Sequence, residues 1–269
     1  MTLKTEFLDT LRKFGSSDRE ICLSTLGVSP EQIRETVIVS PGWRPDRLFP
    51  ADFVRVIRES TPLFGYEVRE VCTGDKCFTW LRAGFGAPAV MDAVLLLGLT
   101  GCRKIIFVSS VGGLLPEHRI GDLLVPEYSV SGDGAGRYLT DDPFRDNFGE
   151  KAYPDGKLSD RLYAAAEEIC REGGTACHRG RPFCTDTIVA QYGHLPRIRE
   201  TGCDCLDMES AALFRAAKLL ELPAAALLNV SDNSSAAGSS LMTARTGDEQ
   251  ERRRYVIREL MPRILLRMV

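Results

Sequence analysis

The chain predicts a three-layer α/β/α fold, with a central mixed, largely parallel sheet flanked by helices. Three observations carry that expectation. Apolar runs of strand length stand at 36–39, 104–108 and 224–230. They do not alternate apolar with polar, which fits strands covered on both faces. Stretches with helical spacing separate them, so strand and helix alternate along the chain. Each run also ends in small residues: Ser40-Pro41-Gly42, Ser109-Ser110 and Ser231-Asp232. In open α/β sheets the crevice at the strand carboxyl ends is where ligands bind.

The elements follow in order. Residues 1–35 read as an N-terminal helical extension. Phe7, Leu8, Leu11 and Phe14 recur at helical spacing there, and Ser29-Pro30 opens a second short piece. Alternation at 66–71 and 77–82 around Gly74-Asp75 predicts a hairpin. Gly84-Phe85-Gly86 precedes a helix over 90–99 and loosely matches a dinucleotide fingerprint. The acid which that fingerprint requires is missing, because the next strand ends in Ser109-Ser110. A turn at Gly121-Asp122 starts another strand, and 132–157 reads as a long irregular loop of the lid or binding type. An amphipathic helix spans 158–172, and a charged C-terminal helix presents Arg252, Arg253 and Arg254 as a solvated basic face. No repeat or linker interrupts, so 1–269 reads as a single domain.

Composition narrows the function. A chain of 269 residues can bury one large core. A net charge of −3 gives nucleic acid no basic face to hold. No apolar run is long enough to span a membrane, and no apolar signal core stands at the start. Nine cysteines scattered through apolar segments read as reduced thiols of a cytoplasmic protein. None has zinc-ligand spacing with a histidine nearby, so neither a metal nor an organic cofactor is expected.

The chemistry concentrates in acids. Asp207 and Glu209 stand two apart at the mouth of an Ala-rich helical pattern, and Asp232 ends the strand at 224–230. That arrangement predicts a pocket that accepts hydroxyls on one side and donates a proton on the other. The plainer reading has Asp207 as a helix cap and Asp232 as an Asx turn. Gly42 with Arg44 and Arg47 can wrap an anion, or can be an ordinary turn with solvated arginines.

Four stretches together resemble one family. They are Pro41-Gly42; the run from Ile105 through Ser109-Ser110-Val111-Gly112-Gly113-Leu114, with Pro116 and Gly121-Asp122; Phe183-Cys184-Thr185-Asp186; and Asp207-Met208-Glu209-Ser210-Ala211-Ala212 with Ser231-Asp232. They are similar to the nucleoside phosphorylases of the purine and uridine phosphorylase type, which include the methylthioadenosine-type nucleosidases. The resemblance implies cleavage of an N-glycosidic bond through an oxocarbenium-like state. It implies that Glu209 accepts the ribose hydroxyls, with Asp207, Ser109 and Met208 also on the substrate side. It further implies that Phe183 stacks on the base, and that Asp232 protonates purine N7. Gly42, Ser110 and Gly112, with Arg44 and Arg47, are the implied phosphate site, phosphate being co-substrate. The implied partners are a nucleoside and phosphate, in a homodimer or trimer of dimers.

Two departures bear on the nucleophile. Phe107 stands where the phosphorylases usually carry a strand arginine, and Asp46 stands where their loop arginine falls. Arg44, Arg47 or Arg82 can restore the charge and keep phosphorolysis. Otherwise the pocket admits water, as in the nucleosidases. A non-catalytic nucleoside-binding protein is the remaining reading.

Overall fold

The apolar runs become the centre of one sheet. The computed structural model describes residues 2–15, 17–235 and 238–269. Met1 and Ser16, part of the expected N-terminal extension, lie outside them, as do Ala236 and Ala237. The first half of the chain holds α1 (Leu3–Phe14), α2 (Asp18–Thr25), β1 (Thr36–Ser40), β2 (Val54–Val56), β3 (Glu67–Thr73), β4 (Lys76–Arg82), α3 (Ala87–Leu97), β5 (Lys104–Gly113), β6 (Leu123–Pro126) and β7 (Ser129–Gly132). The second half holds β8 (Lys151–Ala152), α4 (Gly156–Glu172), β9 (Cys177–Gly180), β10 (Pro182–Thr185), α5 (Leu195–Glu200), β11 (Cys205–Asp207), α6 (Ser210–Leu219), β12 (Ala224–Asn233), α7 (Gly247–Tyr255) and α8 (Met261–Leu266).

The strands join in the order β2-β3-β4-β1-β5-β11-β10-β7-β8, with β12 pairing to β5 and β6, and β6 to β9. The centre is parallel: β1 with β4 and β5, and β5 with β12. β10 is also parallel to β7 and β11. The β3–β4 hairpin and the pairs β11–β5, β12–β6 and β7–β8 are antiparallel. The sheet is therefore mixed and largely parallel, as the sequence predicts.

Burial on both faces explains the missing alternation. Ile105 and Phe107 of β5 pack with Val37, Val39, Leu228 and the apolar faces of α3 and α6. Their neighbours Ile106 and Val108 pack on the opposite side with α4 and α8. Each such side chain taken from water contributes about 1.5–3 kcal/mol. Leu8 of α1 and Cys22 and Leu26 at α2 join the first of these cores.

Several details differ from expectation. The helix α2 was not evident, because its apolar positions are few and Ser17 sets its start by accepting from the Glu20 N–H. The 132–157 stretch holds a short 3-10 turn at Ala135–Leu139 and the strand β8. Cys72 and Cys77 face each other across the β3–β4 hairpin and are bonded, which corrects the expectation of nine reduced thiols. Among the described residues, no helix is long and apolar enough to cross a membrane.

Candidate active site

Two strands converge on one glycine. Gly112 of β5 faces Leu206 of β11 and Asp232 of β12. A register shift between Val230 and Asp232 bulges β12 at that point. A Cβ at position 112 would lie 3.1 Å from Asp232 Oδ2, so a bare backbone is what lets the carboxylate sit there. This junction brings Asp207, Met208, Glu209 and Asp232 around a single cavity of about 360 Å³. Small-molecule sites occupy roughly 300–1,000 Å³.

The acids are held in place by the backbone. β11 ends at Asp207 and α6 begins at Ser210, so the pair sits in the strand-to-helix corner rather than inside a helix. The Ser210 N–H donates to Asp207 Oδ2 at 2.8 Å, while the buried Oδ1 has no protein partner. The Gly86 N–H donates to Glu209 Oε1 at 2.9 Å. The glycine loop that loosely matched a dinucleotide fingerprint thus positions a carboxylate. Gly86 has φ +93°, a conformation that favours glycine. Glu209 is 3% exposed, Asp207 5% and Asp232 7%. Burial raises the pKa of all three, and Asp207 raises that of Glu209 further. At Asp232 a hydrogen bond from the Ser231 hydroxyl, at 2.6 Å, and the charges of Arg245 and Arg253 partly offset burial.

Part of the cavity wall is cationic. Gly42, Arg47, Ser110, Arg245 and Arg253 line it. Arg253 Nη2 donates to Ser110 Oγ at 2.9 Å and its Nε to Asn229 Oδ1 at 2.8 Å. Burial, with Arg47 and Arg245 nearby, pushes the Arg253 guanidinium down to about 10. Arg47 is lowered by burial and by Arg245. The Arg47 guanidinium lies 4.4 Å from the Trp43 ring centroid. The Trp43 N–H donates to Ser40 Oγ and the Trp43 carbonyl accepts from Trp80 Nε1, which fixes the loop. A Cβ on Gly42 would fall 2.2 Å from Phe85 Cζ, so glycine admits that ring over the loop.

Of the expected residues, Gly42, Arg47, Ser109, Ser110, Gly112, Asp207, Met208, Glu209 and Asp232 line the cavity. Two do not. Arg44 points outward and grips Glu67 with two hydrogen bonds of 2.7 and 2.9 Å, and Arg82 pairs with the same carboxylate. Phe183 packs into a core with Leu114, Val130, Ile198 and Leu206, because Gly132 leaves room for its ring there. Phe107 faces the α3–α6 layer and is fully buried, so its position on β5 does not point at the cavity.

Sequence reasoning missed Trp43, Phe85, Thr185, Gln191, Arg245 and Arg253, which also line the cavity. Of the three C-terminal arginines expected on a solvated face, only Arg254 is exposed. Arg252 pairs with the buried Asp122, and that anchor turns the next residue, Arg253, toward Ser110. Only the adjacency of the arginines was visible; their distance from Ser110 in the chain hid the contact. Gln191 is buried and its Oε1 has no protein partner, which leaves an acceptor for a ligand.

Comparison with known proteins agrees with this architecture. A purine nucleoside phosphorylase of the DeoD type from Limosilactobacillus reuteri is 30% identical over 151 residues, 56% of this chain and 61% of that protein. The chain thus matches less than two thirds of that relative. Uridine phosphorylase from Vibrio fischeri shares the fold with a TM-score of 0.70 at 21% identity, covering 95% of this chain and 97% of that one. A 5′-methylthioadenosine/S-adenosyl homocysteine nucleosidase from Campylobacter jejuni does so at 0.66 and 18%, covering 87% and 97%. Residues 51–269 match the family model described as the phosphorylase superfamily, and the chain belongs to that superfamily.

Proposed function

We propose that the protein cleaves the N-glycosidic bond of a purine nucleoside by phosphorolysis, giving free base and ribose 1-phosphate. One observation carries this reading. Arg47, Arg245 and Arg253 line the cavity together with Ser110 and Gly42, and its wall also holds Glu209 and Asp232. None of the three arginines has a carboxylate in ion-pair range among the described residues. A cation cluster of this kind suits a dianion far better than water.

The chemistry follows from the placements. Glu209, once ionised, accepts the ribose 2′- and 3′-hydroxyls and opposes the positive charge growing on the sugar. Met208 gives the sugar an apolar floor. Ile188, Thr185 and Gln191 face the base, Gln191 Oε1 accepting from its edge. Asp232, its pKa raised by burial, delivers a proton to purine N7. The C1′–N9 bond then breaks, the base leaves neutral, and a phosphate oxygen held by Arg253 and Ser110 bonds to C1′. The same reading has a second copy of the chain covering the exposed cavity rim at Phe85 and Leu241. Inosine should be consumed only when phosphate is present, with ribose 1-phosphate as product. Equal turnover in phosphate-free buffer, with free ribose released, would overturn phosphorolysis in favour of hydrolysis.

A further inference from the structure

A second cleft of about 470 Å³ adjoins the cationic part of the cavity wall, and Arg47, Arg245 and Arg253 line both. The cleft adds Gln250, Arg254 and Arg258, and no acidic residue lines it. Arg254 and Arg258 stand one turn apart on the C-terminal helical segment and are exposed. Like charges so spaced repel. Elsewhere on this segment the arginines are compensated: Arg252 by Asp122, Arg263 by Glu172 and Arg267 by Glu168. Among the described residues, none of the five cleft arginines has such an ion-pair partner.

We propose that this cleft is a second anion subsite and that the two subsites together take a diphosphate group. One phosphate lies against Ser110 and Arg253, and the next lies in the cleft toward Arg254 and Arg258. The bridging arginines explain why one ligand with two linked phosphates fits better than two separate ions. Such a ligand displaces inorganic phosphate and inhibits phosphorolysis competitively. The source is either inorganic pyrophosphate or the tail of a nucleoside diphosphate. The inference rests on the first cavity being an oxyanion site.

The test is calorimetric titration of the intact protein at near-physiological salt with inorganic phosphate, inorganic pyrophosphate and ADP. Pyrophosphate is expected to bind at least about tenfold tighter than phosphate. R254A/R258A should remove that advantage while changing phosphate affinity less than about twofold. ADP matching pyrophosphate identifies a nucleotide as the source; pyrophosphate alone identifies the inorganic ion; both support the subsite. Phosphate binding without a pyrophosphate advantage, or equal weakening of both anions in R254A/R258A, overturns the subsite alone. Failure of any anion to bind overturns the oxyanion site as well, and the subsite with it.

Discussion

Asp232 and Glu209 make opposite demands on protonation. In the proposed reaction Asp232 holds a proton to release the base, whereas Glu209 loses one to accept hydroxyls. Burial raises both, and in that reaction sugar hydroxyls donating to Glu209 would favour its ionised form. In the phosphorolysis reading, kcat/KM falls on the alkaline side as pH rises through the raised value of Asp232. Asp232→Asn should lower kcat by about 10²–10⁴-fold and abolish that limb, as a pH–rate profile will reveal. A further consequence concerns Gly42. In Gly42→Ala the new methyl meets the Phe85 ring, which is exposed and can swing away. Thermal stability should change by under about 1 kcal/mol, while KM rises several-fold because the wall over the anion site has moved. A large loss of stability with unchanged KM would contradict this placement of Phe85.

At the scale of elements, β5 carries Ser110 and Gly112 to the cavity and α7 carries Arg253 there. Position 107 on β5 faces the helix layer, so Phe107→Arg would bury a charge without a partner. It should cost several kcal/mol of stability and gain no phosphate affinity, measured by denaturant melts and titration. In the phosphorolysis reading one of the three cations comes from α7, held by Asp122 and Arg252. Asp122→Asn should cost about 3 kcal/mol and raise the KM for phosphate through the loosened Arg253. The sheet strands were legible because the cores on both faces force long apolar runs. The acids were legible because they end strands or start a helix. Arg253 was not, since its partner Ser110 lies on β5, far away in sequence. Phe183 misled because an aromatic at a strand end suits a core and a stacking platform equally well.

Over the whole molecule, the buried carboxyls make stability depend on pH. In the empty protein Asp207, Glu209 and Asp232 keep their protons to higher pH than in the unfolded chain. A group shifted this way stabilises fully below its unfolded value, about 4 for carboxyls. That contribution is lost as pH climbs through the raised values. Above about pH 5, where ion-paired carboxylates such as Glu67 and Glu70 are already ionised, the melting temperature of ligand-free protein should therefore decline as pH rises, and less steeply in Glu209→Gln. A parallel decline in both proteins would show that Glu209 is not the group responsible. The overall layering was readable from strand–helix alternation alone, whereas the path of β12 between β5 and β6 was not, because pairing partners leave no mark in a single strand's composition.

The route of Arg253 to Ser110 carries a last consequence for biogenesis. Every acid and glycine of the cavity precedes α7 in synthesis order, as do Arg47 and Arg245, yet the cationic wall lacks Arg253 until that helix docks. In the phosphorolysis reading, a chain that has closed its sheet but not docked α7 would therefore bind phosphate poorly. In that reading Arg253→Ala should leave the core protected from proteolysis while lowering phosphate-dependent turnover, so the anion site is complete only once that helix has docked.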